Sequence, residues 1–128
     1  MKKKIMIIDD EESYALMLKM RLETFGDYEV RAFFEANDII SHLHAFQPDV
    51  IVLDLLMPGV GGLDACDMLN NDPLGQTIPV IVVSGLDKRA DKIKAFKFGV
   101  VDYLVKPIDD TKLLEAIAKA IEYKSEQF

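Results

Sequence analysis

The stretch Val50-Ile51-Val52-Leu53-Asp54-Leu55-Leu56-Met57-Pro58-Gly59 decides the fold. Four consecutive aliphatic residues, three of them β-branched, followed by a Pro-Gly breaker, read as a strand buried on both faces that ends abruptly in a loop. Strands covered on both faces belong to parallel sheets with helices above and below. Asp54 stands at the carboxyl end of this strand, where open α/β sheets bind their ligands.

Toward the N-terminus, Lys4–Asp9 is an apolar run ending in acid, and Glu12–Phe25 carries Ala15, Leu18, Leu22 and Phe25 at helical spacing before Gly26 stops it. Tyr28–Ala32 alternates as an edge strand does, and Asn37–Phe46 brings Ile39, Ile40, Leu43 and Phe46 to one helical face. On the other side of Asp54, Gly62–Asn70 reads as a short helix with Ala65, Cys66 and Leu69 inward. Pro79–Gly85 is a second fully apolar strand, and it ends in Ser84. Asp87–Phe98 is predicted as a helix with Ile93 and Phe96 inward, Lys88, Arg89, Lys92 and Lys97 displayed, and Gly99 as its cap. Val100–Val105 is the fifth strand and leads into Lys106-Pro107. Asp110 then opens a helix with the stripe Leu113, Leu114, Ile117, Ala120 and Ile121. The βα unit recurs five times, which predicts a doubly wound α/β fold with a parallel sheet and helices on both faces.

Size and charge bound the function. At 128 residues, half of them hydrophobic, the chain suits a single domain over residues 1–128. A net charge of −7 and a pI near 4.7 oppose a direct nucleic-acid binder, which needs a basic face for phosphates. The single cysteine, Cys66, cannot close an internal disulfide and reads as a small core residue. His42 and His44 stand two apart on one helix and so do not share a face as metal ligands. There is no signal-peptide pattern, and no apolar run is long enough for membrane insertion, so a cytoplasmic protein is expected.

The chemistry emerges when the strand ends are taken together: Asp9-Asp10, Asp54, Ser84 and Lys106. In a parallel sheet these ends share one edge. Converging carboxylates repel and raise one another's pKa unless a cation lies among them, and hard oxygen ligands of this kind point to Mg²⁺. Lys106 adds a point charge and Ser84 a hydroxyl, both suited to a phosphoryl group in transfer.

In this order along the chain, Asp9-Asp10, Asp54-x-x-Met57-Pro58, Ser84 and Lys106-Pro107 resemble the receiver domain of two-component response regulators. The resemblance implies a flavodoxin-like (βα)5 fold with strand order 2-1-3-4-5, the order of chemotaxis members of that family. It implies Asp54 as phosphoacceptor from a histidine kinase or phosphotransfer protein. Mg²⁺ would be held by Asp9, Asp10, Asp54 and the Leu56 backbone carbonyl, with Ser84 and Lys106 on the phosphoryl group. Tyr103 falls at the family's aromatic switch position, which acts together with Ser84. Its motion would reshape the face of the fourth helix, fifth strand and fifth helix for a downstream protein. A cis Lys106–Pro107 bond is also implied.

Gly85 stands where alanine is common in the family, and Gly61 where a polar residue is common, which implies a looser loop. The resemblance also implies that the residues two beyond the phosphoacceptor and two beyond the hydroxyl flank the approach of hydrolytic water; here they are Leu56 and Leu86, which offer it no hydrogen bond, so a long-lived phosphoryl group is expected. A dehalogenase-type phosphatase would need a second Asp at position 56, where this chain has Leu56, so a turnover enzyme is not expected. The alternative is a phosphorylation-independent binding module on the same fold.

Overall fold

Strands and helices alternate along the whole chain, of which the computed structural model describes residues 1–127. The order is β1 (Lys4–Ile8), α1 (Glu12–Phe25), β2 (Glu29–Phe33), α2 (Ile39–Phe46), β3 (Val50–Leu53) and α3 (Gly62–Asn70). A 3-10 turn at Gly75–Thr77 precedes β4 (Val80–Ser84), α4 (Arg89–Lys97), β5 (Asp102–Val105) and α5 (Asp110–Gln127). The strands form one parallel sheet in the order β2-β1-β3-β4-β5, as expected. Pairings such as Ile5 with Val50, Ile51 with Val80 and Ser84 with Val105 bring the carboxyl ends to one edge.

Successive strand residues face opposite sides of the sheet, so each strand feeds two cores. Ile5, Ile7, Val50, Val52, Ile81 and Val83 pack under α1 and α5, against Leu18, Leu22, Leu113 and Ile117. Met6, Ile8, Ile51, Leu53 and Val82 pack on the other side, against Leu43 and Phe46 of α2, Leu69 of α3 and Ala95 of α4. Cys66 is buried in this second layer, where burial pushes its thiol up to about 12.

Two helical readings are corrected. Ile93 and Phe96, expected inward, are 45% and 49% exposed. The face of α4 turned to the sheet instead runs through Asp91, Ala95 and Phe98, and Ala95 alone in the helix is fully buried. A small residue at the contact lets the helix lie close, and the larger apolar pair falls off that face at about 100° per residue. Phe25 is also exposed, because α1 ends there and its last inward residue is Leu22. Lys88, Arg89 and Lys97 are exposed as expected, while Lys92 is half-buried and pairs with Asp87 at 2.9 Å. The Asp87–Phe98 reading shortens to Arg89–Lys97, followed by Gly99 with φ +89°, a conformation that favours glycine.

The histidines take structural places. His42 stacks on Phe33 with ring centroids 3.9 Å apart, and His44 Nε2 lies 2.9 Å from Asp72. Among the described residues no helix is long and apolar enough to cross a membrane.

Candidate functional site

Three strand ends deliver the site. Asp9 follows β1 and Asp54 follows β3, central strands covered on both faces, and Lys106 follows the half-buried edge strand β5. Asp9, Asp54 and Ser84 are the only buried polar or charged side chains among the described residues. Burying such groups is costly without partners, and each has them. Asp9 Oδ2 accepts from Lys106 Nζ at 2.9 Å, and Asp54 Oδ2 lies 3.5 Å from the same ammonium. Asp54 Oδ1 accepts from the Leu56 N–H at 3.3 Å. The Lys106–Pro107 bond is cis.

Glu11 joins this group although nothing in the sequence reading placed it there. Its Oε1 is 2.8 Å from Lys106 Nζ, and its backbone N–H donates to Asp9 Oδ1 at 3.0 Å. That main-chain bond turns the loop back over the strand end, a fold-back that strand periodicity does not reveal. The acidic run Asp9-Asp10-Glu11-Glu12 was the available signal. Carboxylate oxygens of Asp9, Glu11 and Asp54 all lie within 4.8 Å of one another. Asp10 is not in that group; it is half-buried and lines a neighbouring cavity of about 620 Å³ with Phe33, His42 and Pro58.

The electrostatics follow from burial set against pairing. Burial pushes the Asp9 carboxyl above its ordinary range, only partly offset by the Lys106 and Glu11 N–H bonds, and the charge of Asp54 adds to the rise. At Lys106 burial pulls the other way, but bonds to Glu11 and Asp9 and the charge of Asp54 outweigh it and hold the ammonium above its ordinary value. The ion pair therefore keeps its cation firmly while its buried carboxylate stays under desolvation stress. The buried carboxylates Asp9 and Asp54 are hard oxygen donors that suit a divalent cation such as Mg²⁺, whereas Glu11, the exposed third member of the group, is turned to Lys106.

Ser84 and Tyr103 lie toward α4. Ser84 Oγ accepts from the Leu86 N–H at 3.3 Å, and the Tyr103 hydroxyl donates to the Leu86 carbonyl at 2.6 Å. Tyr103 is half-buried and packs against the core beneath α4; burial raises its phenol above the ordinary value, with a Ser84 bond acting in the opposite sense. The Leu56 side chain is exposed and that of Leu86 half-buried.

The loop after Asp54 depends on a glycine that the sequence reading passed over. A Cβ on Gly62 would stand 2.5 Å from Leu55 Cα and 2.6 Å from the Asp54 carbonyl oxygen, so only glycine lets α3 start this close. A Cβ on Gly85 would meet nothing within 4 Å, which agrees with open space at that position.

A family model described as the response regulator receiver domain matches residues 5–118. The chain belongs to this family. Receivers are phosphorylation-dependent signalling switches rather than turnover enzymes, and they generally bind Mg²⁺ at an acidic pocket. Relatives include the response regulator PleD of Caulobacter vibrioides, 34% identical over 97% of this chain and 27% of PleD. Protein PilH of Pseudomonas aeruginosa is 34% identical over 89% of this chain and 93% of PilH. The transcriptional regulatory protein PhoP of Bacillus subtilis is 32% identical, and the chain spans 51% of it. This receiver thus corresponds to a part of PleD and of PhoP. A receiver domain protein from Clostridium thermocellum superposes with a TM-score of 0.88 at 28% identity, covering 98% of this chain and 99% of that one. A chemotaxis-like receiver from Methanospirillum hungatei, at 22% identity, shares the fold with a TM-score of 0.90 and covers both chains fully.

Proposed function

We propose that residues 1–128 act as one receiver domain that takes a phosphoryl group on Asp54 from a histidine kinase or a phosphotransfer protein. The observation that carries this reading is a buried Asp54 with Lys106 Nζ 3.5 Å from its Oδ2, beside buried Asp9. Asp54 Oδ attacks phosphorus, the P–N bond of the donor breaks, and the imidazole nitrogen keeps the electron pair. Asp9, Asp10, Asp54 and the Leu56 carbonyl would hold Mg²⁺, which supplies positive charge to the phosphoryl oxygens. Lys106 places a second positive charge beside them, and Ser84 offers its hydroxyl. Because Ser84 and Tyr103 both bond to Leu86, a shift of the Ser84 hydroxyl is passed to the aromatic ring and to α4. The downstream partner then reads the face of α4, β5 and α5, where Lys88, Arg89 and Lys97 are exposed. Direct contact with nucleic acid, insertion into a membrane and a location outside the cytoplasm do not belong to this reading.

The phosphoryl group is held long. Neither leucine side chain can orient water opposite the Asp54 oxygen, and losing one such contact is worth about 1–3 kcal/mol of barrier.

Incubation with acetyl phosphate and Mg²⁺, followed by intact mass and hydroxylamine treatment, tests both statements. Wild type should gain one hydroxylamine-labile phosphoryl group and Asp54→Asn none; equal labelling would reject Asp54. The Leu56→Asn/Leu86→Glu double variant should lose its phosphoryl group about ten- to a hundredfold faster. Unchanged or slower loss would reject the long lifetime.

A further inference from the structure

Lys106 is more fully engaged than a group waiting for a phosphoryl oxygen needs to be. An ammonium has three N–H donors. Here Glu11 lies at 2.8 Å, Asp9 at 2.9 Å and Asp54 at 3.5 Å, so every donor has a carboxylate. The ring of Tyr14 covers a further side, with its centroid 4.4 Å from Nζ, and its hydroxyl oxygen is buried without a hydrogen-bond partner. An anion arriving on Asp54 can gain a bond from Lys106 only if one of these contacts yields.

The contacts differ in how easily they yield. Asp9 is almost fully buried, follows β1 directly, and its second oxygen is tied to the Glu11 N–H, so releasing it would strand a buried charge. The Glu11 side chain is 62% exposed, and leaving Lys106 returns it to water. From this geometry, and resting on the reading of Asp54 as phosphoacceptor, we infer that the Glu11 carboxylate is a displaceable counter-ion. It occupies the Lys106 ammonium in the resting protein and competes there with the incoming phosphoryl group. Glu11 is thus a positioning residue that sets how strongly the resting state resists switching. Tyr14 keeps the ammonium in place while its partners exchange.

Beryllofluoride, an acyl-phosphate mimic, provides the test at saturating Mg²⁺ on the full chain. Glu11→Gln is compared with Glu12→Gln, which removes the same charge from a neighbouring exposed residue that makes no ion pair among the described residues. Glu11→Gln should bind beryllofluoride about two- to fivefold tighter than Glu12→Gln, the scale of an exposed ion pair. The gap should narrow as salt is raised, since exposed pairs are screened. In wild type, the Glu11 carboxyl ¹³C signal should move toward its free-solvent position when beryllofluoride binds. Equal affinities of the two variants, or an unmoved Glu11 signal, would overturn the proposal. So would Mg²⁺ binding clearly weaker in Glu11→Gln than in Glu12→Gln, since Glu11 would then serve the cation. If wild type itself fails to bind beryllofluoride with Mg²⁺, the phosphoacceptor reading falls first, and this one with it.

Discussion

Helices α4 and α5 flank the same half of the sheet but are attached to it in opposite ways. α5 spans 18 residues and buries Leu113, Ala116, Ile117 and Ala120, whereas α4 spans 9 and buries Ala95 alone. Burial of a large aliphatic side chain is worth about 1.5–3 kcal/mol, so the apolar grip on α5 exceeds that on α4 several times over. α4 even presents Ile93 and Phe96 to solvent. Asp9, Asp54 and Lys106 are anchored on strands backed by α1 and α5, the frame, and on the proposed reading α4, the loosely held element beside Tyr103, is the reporter.

The largest test of that contrast is thermodynamic. Ile117→Ala should cost about 2–5 kcal/mol in denaturant unfolding, and Ile93→Ala should stay within about 0.5 kcal/mol. Similar losses at the two positions would break the comparison. A smaller effect is read by amide spectra after phosphorylation. Signals of Arg89–Lys97 and of Tyr103 should move, and those of buried Leu113 and Ile117 should stay; the reverse pattern would make α5 the reporter. The smallest effect concerns Cys66, which shares its core layer with α4. With its thiol pushed up to about 12 by burial, native protein at neutral pH should resist alkylation until it unfolds. A raised thiol pKa means that the fold disfavours the thiolate. Its share of stability is therefore intact below the ordinary value of 9.0 and falls as pH climbs toward 12. Rapid labelling of native protein would show that the loose attachment of α4 extends into the layer beneath it.

The frame was more legible than the reporter, for a physical reason. Val50–Leu53 and Val80–Val83 are short, β-branched apolar runs bounded by breakers, which read as doubly covered strands, and their ends place Asp54 and Ser84. Helical periodicity worked on α5 because its stripe is long, with four buried positions to set the phase. On α4 Ile93 and Phe96 suggested one face while Ala95, in line with Phe98 just past the helix end, occupies another; a single small buried residue carries too little signal to fix the phase. Glu11 escaped because a loop returns to the site through a main-chain bond to Asp9 Oδ1, and loops have no period. Gly62 escaped because its role is a close approach to Asp54 and Leu55 that exists only in three dimensions.

The bonds around Leu86 have a consequence for how such a protein can diversify. Ser84 and Tyr103 are joined through the amide N–H and carbonyl of residue 86, and the side chain takes no part in either bond. Any residue that keeps this backbone path preserves the link, so on the proposed reading the side chain at 86 can change the phosphoryl lifetime without breaking it. On that reading signal duration and signal transmission can drift apart at one position, and descendants of this sequence could acquire new clocks without rebuilding the wire.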